Sequence, residues 1–130
     1  MEKSHLNQAS LWLKAAGYIL DADDAPNEKN IVSTALAIHA IIKANDALTF
    51  KFFQITAKRH DDAKRLFEDL VKKNFIKSEF ASYRQIIQDA ITNKSRAEYR
   101  IAYFSKKDAE DMIGKAERFI RMAETCLTPP

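Results

Sequence analysis

A chain of 130 residues, 46% apolar and 30% charged, is long enough to bury one proper core and has the balance of a soluble globular protein. Its two glycines exclude a glycine-rich phosphate loop, and its single cysteine, Cys126, excludes an internal disulfide. A net charge of +3 is too mild to name a partner.

One domain over residues 1–130 is expected, with an ordered core from about residue 5 to 127. The opening residues MEKSHLNQ lack the apolar stretch of a signal peptide, so the expected location is cytoplasmic. From His5 to Leu20, the residues Leu6, Ala9, Leu13, Ala16 and Leu20 share one helical face, flanked by Trp12 and Ile19. Asp21, Asp23, Asp24 and Pro26 end this helix, because proline turns the residue before it away from helical backbone. The same acids favour the positive N-terminal end of the next helix.

That second helix, from about Asn27 into the run Phe50-Lys51-Phe52-Phe53, organises the chain. Between Ile31 and Phe50 it has no glycine or proline, and Lys43 and Asp46 are its charged residues. Ile31, Ala35, Ile38, Ile42 and Phe52 fall on one face, with Val32, Leu36 and Phe50 beside it. Ser33, Ala37, Ala40, Ala44 and Ala47 form a second stripe of small residues, which lets a neighbouring backbone come close. A helix apolar most of the way round is one that others wrap. It is expected to be too short and too interrupted for a bilayer, where Lys43, Asn45 and Asp46 would lie in hydrocarbon.

Gln54 to Arg59 reads as a turn. His60 or Asp61 then opens a third helix with Ala63, Leu66, Phe67, Leu70 and Val71 inward, and Asn74 ends it. Ser78 is the expected cap of a fourth helix carrying Phe80, Tyr83, Ile87, Ala90 and Ile91. Phe104 and Ser105 followed by Asp108 form the clearest helix start in the chain. The last helix places Ala109, Met112, Ile113, Ala116, Phe119, Ile120, Ala123 and Leu127 at spacings of three and four. Five helices, short connections and no segment of period two predict an all-α, up-and-down five-helix bundle.

Little in the chain points to metal or nucleophilic chemistry. Di-iron bundles need Glu-x-x-His pairs projecting from facing helices, and no such set of pairs is present. His-Glu-x-x-His and Cys-x-x-Cys are absent, so neither metal nor cofactor is expected. Cys126 lies near the C-terminus with no histidine beside it, a poor setting for a nucleophile.

His39, in the middle of the second helix, reads first as a core histidine bonded to a neighbouring helix. Asn45 and Asp46 read the same way, and Asp46 needs a partner if buried. Lys58, Arg59, His60, Lys64, Arg65, Lys72, Lys73 and Lys77 interleave with Asp61, Asp62, Glu68 and Asp69, the pattern of a solvated, salt-bridged face. In the segment Asn93 to Tyr103, Lys94, Arg96 and Arg100 cluster with Tyr99 and Tyr103, and Glu98 is the only acid. Arginines beside aromatics can pair with phosphates and stack on bases. They can equally lie along the rings at a helix end with their heads in water.

Taken together, these features resemble the HEPN superfamily of small helical bundles. The resemblance covers nearly the whole chain. It is carried by Ser33, His39, Ala40, Ile42, Ala44, Asp46, Ala47 and Leu48 in the second helix, and by His60 at the start of the third. Ala97-Glu98-Tyr99 and the pattern from Ser105 through Asp108, Ala109, Ile113, Ala116, Arg118 and Phe119 to Ile120 complete it.

The resemblance implies a bundle that often dimerises, with a cleft between protomers. Many members are ribonucleases, including toxins of toxin–antitoxin pairs, that carry an Arg-x4-6-His motif. This chain departs from that pattern. The window after Arg96 holds Ile101, Ala102 and Tyr103, and the window after Lys94 holds Tyr99, Arg100 and Ile101. Without an imidazole there, the usual acid–base route to phosphodiester cleavage is missing.

Other members lack the motif and pair with small nucleotidyltransferases or bind nucleic acids or nucleotides. The expected function is therefore a non-catalytic, homodimeric binding module for RNA, a nucleotide or a nucleotidyltransferase-type partner, away from membranes. His39, Asp46, Lys94, Arg96, Tyr99 and Arg100 are its candidate ligand contacts. The alternatives are a divergent ribonuclease using His60, Arg96, Tyr99 or Arg100, and a purely structural subunit of a complex.

Overall fold

The computed structural model describes residues 1–99 and 103–128, apart from the side chains of 60 and 97–99. Five α-helices follow in order: α1 (Glu2–Asp21), α2 (Pro26–Phe53), α3 (His60–Lys72), α4 (Arg84–Tyr99) and α5 (Lys106–Leu127). A 3-10 segment, Ser78–Tyr83, leads into α4, and no strand occurs among the described residues.

The other four helices all pack on α2. The stripe of Ser33, Ala37, Ala40, Ala44 and Ala47 is fully buried, as expected for a face against which backbones close in. The Ser33 hydroxyl donates to the Ala16 carbonyl at 2.7 Å, a bond that fixes how near α1 approaches. Lys51 lies 3.7 Å from Glu2 and His39 packs on Trp12, so α1 and α2 run antiparallel. Asn30 Nδ2 donates to the Phe104 carbonyl and Asn45 Nδ2 to the Ala63 carbonyl, both at 3.0 Å. The buried amides of α2 thus tie it to the start of α5 and to α3. Lys115 pairs with Asp89 at 3.0 Å across α4 and α5.

The branched face of α2 departs from expectation. Ile38 is buried, but Ala35 is exposed and Val32 is 46% exposed. The neighbours gather on the small side, where approach is closest, and leave this face outward. The length of α2 is a second correction. Its 28 residues are long and apolar enough to cross a membrane, so the expectation that it is too short fails. It serves this bundle as a core helix, with 61% of its apolar window buried inside the protein.

Helix ends follow local chemistry with two exceptions. Ser105 Oγ accepts from the Asp108 amide and the Asp108 carboxylate accepts from the Ser105 amide, a complete capping box. After α3, Asn74 takes the left-handed conformation (φ 63°), the Phe75 amide donates to the Leu70 carbonyl, and the Asn74 amide donates to that of Val71. That pairing is a Schellman ending, with asparagine where glycine is usual. Ser78 makes no side-chain cap; it is the first residue of the 3-10 segment, and α4 begins only at Arg84. Likewise α1 starts at Glu2 rather than His5, one turn earlier than its apolar spacing indicates.

Candidate functional site

The last turns of α4 and the chain leading into α5 hold the clearest cluster of sequence candidates. Arg96 is exposed but committed. Its Nη1 donates to Asn93 Oδ1 at 3.0 Å and its Nη2 to the Tyr103 carbonyl at 3.1 Å. The guanidinium also sits 4.4 Å from the centre of the Phe104 ring, within cation–π range. Phe104 is 1% exposed, and its carbonyl receives the Asn30 amide. Arg96 therefore pins the chain where it leads into α5, with its guanidinium over the Phe104 ring. Tyr103 itself is 71% exposed. Lys94 lies half-buried on the same end of α4. Arg100 and the side chains of His60 and Tyr99 lie outside the described residues.

His39 occupies a different neighbourhood. It is half-buried, with its ring 4.5 Å from that of Trp12 in an edge-to-face contact. On the outer surfaces of α1 and α2, Leu11 is 64% exposed, besides Val32, while Ile19 and Leu36 are half-buried; Tyr18, 77% exposed, lines a groove between α1 and α5. Asp46 is buried further along α2, next to Asn45. No described contact joins His39 to Arg96.

The basic third helix behaves as its interleaved acids suggest. Arg65 lies 3.5 Å from both Asp62 and Asp69, and Lys64 Nζ donates to Gln88 Oε1. Burial pushes the Cys126 thiol up, against a lesser pull from Lys77, and its sulfur contacts that of Met122 at 3.7 Å. A thiol held protonated is a poor nucleophile. The chain contains one Glu-x-x-His spacing, Glu2 to His5; Glu2 pairs with Lys51, and His5 packs against Phe50. Among the described residues no three His, Cys, Asp or Glu side chains come together as a metal site needs.

Sequence reasoning missed a cluster at the far end of α2. Phe75, just past the Schellman ending, stacks on Phe52 at 5.3 Å and meets Phe53 edge-on at 5.7 Å. Lys73 Nζ lies 5.3 Å from the Phe53 ring centre. The signal available was the phenylalanine run at 50–53 together with a lysine-flanked Phe75, but their contact depends on tertiary packing.

The family model described as HEPN domain matches residues 3–126 of this chain. No curated protein matches it.

Proposed function

The chain belongs to the HEPN family, and on that footing we propose that it is a homodimeric binding module that leaves RNA intact. The commitment of Arg96 carries this reading. Cleaving RNA by internal attack needs a group to take the 2′-hydroxyl proton and another to return one to the leaving oxygen. Arg96 holds Asn93, the Tyr103 carbonyl and the Phe104 ring, and a guanidinium does not give up its proton. The three residues after the fourth following position, Ile101, Ala102 and Tyr103, include no histidine. The outward apolar face around Trp12 and His39 supports pairing, since a two-fold dimer is the commonest way to cover such a surface.

The purified protein is expected to leave a labelled single-stranded RNA uncut after prolonged incubation. The control is the double variant Arg96→Ala, Arg100→Ala, because a contaminating nuclease survives that change. Cleavage that the double variant abolishes would replace this reading with the divergent ribonuclease.

A further inference from the structure

We propose a stacking site for single-stranded nucleic acid on Phe75, at the opposite end of α2 from Arg96. The two ends of the helix, marked by Asn30 and Phe52, are separated by about 33 Å at the rise of an α-helix. Phe52 covers one face of the Phe75 ring and Phe53 meets it edge-on, yet Phe75 remains 46% exposed. The ring face turned away from Phe52 is the one that a nucleobase would extend by one layer.

Its surroundings fit a phosphate backbone. Lys72, Lys73 and Lys77 are all exposed and lie within three residues of Phe75. None is in an ion pair with an acid among the described residues, whereas Arg65, earlier on the same helix, has two. Beside the ring a groove of about 800 Å³ runs between the segment after α3 and the end of α5, lined in part by Phe75, Lys77, Phe80, Arg121 and Cys126. Its apolar floor and two cations suit the next base and its phosphate; Glu79 and Glu124 on the same walls limit the net charge. An acidic peptide would use the lysines but has no need of an open ring face, so the exposed stack favours nucleic acid. The open ring face and the lysines engage base and phosphate rather than sugar, so the site takes RNA and DNA alike.

This inference does not rest on pairing or on the absence of cleavage. A protein that cut RNA would overturn the earlier reading and leave this one standing. The test is fluorescence anisotropy of a short labelled oligoadenylate, as RNA and as DNA, titrated with the full chain at low salt. Phe75→Leu keeps the apolar contact to Phe52 but removes the stacking face, and is expected to weaken binding by roughly fivefold to a hundredfold. Phe75→Trp is expected to bind at least as tightly as the parent. Because both changes touch packing, Lys73→Gln with Lys77→Gln provides a surface check. Losing two phosphate contacts lowers the salt dependence of log affinity by about 1.4. Unchanged affinity in Phe75→Leu, displacement by polyglutamate as readily as by unlabelled oligonucleotide, or no binding at low salt would each overturn the site.

Discussion

Replacing Phe119 with alanine is expected to destabilise the bundle by about 3–5 kcal/mol, the cost of deleting a buried ring from a core that only partly collapses. Phe119 is completely buried on α5, with its ring 5.8 Å from Phe67 of α3 and 6.4 Å from Tyr83 of the 3-10 segment. Its removal opens space where three elements meet, and none can close in without giving up other contacts. A domain of this size has roughly 5–15 kcal/mol of total stability, so much of it would go. The melting temperature, followed by circular dichroism, is expected to fall by roughly 10–20 °C. A fall of only a degree or two would mean that Phe119 does not hold these elements together.

Ala40→Leu tests the other side of packing, the absence of room. Ala40 is completely buried in the small-residue stripe of α2, between the equally buried Ala37 and Ala44. Added methylenes there force α2 and its neighbour apart, at a cost of about 1–3 kcal/mol. Ala35→Leu is the matched control, since Ala35 is exposed on the same helix and a larger side chain there enters no contact within the bundle. A clear drop in melting temperature for Ala40→Leu with little change for Ala35→Leu is the expected pair. Equal drops would mean that the faces of α2 are assigned wrongly.

These substitutions also show what was legible in the sequence. The small stripe from Ser33 to Ala47 told correctly where neighbours approach, because close helix contacts demand small residues. Ser105 with Asp108 and the stop at Asn74 were equally plain, since each is made by residues a few positions apart. The turn at Gln54 was placed correctly, although nothing in its composition shows that Gln54 takes a left-handed conformation. The outward turn of Val32 and Ala35 was hidden for a different reason. Apolar periodicity marks a face that avoids water but does not say whether the cover comes from the same chain.

The candidate site was less legible than the fold. Arg96, Tyr103 and Phe104 are close in sequence, yet whether Arg96 reaches a ligand or its own chain depends on how the α4–α5 connection bends. The bond from Asn30 to the Phe104 carbonyl spans 74 positions, and no local pattern announces it. The stack of Phe75 on Phe52 is likewise a product of tertiary packing.

Pairing is the part of the functional reading that a single measurement reaches most directly. Light scattering at micromolar concentration is expected to give twice the chain mass of 14.9 kDa. Val32→Glu places a charge on the outward apolar face without entering the core, and is expected to give the single-chain mass with the fold retained. A parent protein that runs only at 14.9 kDa would contradict the homodimer.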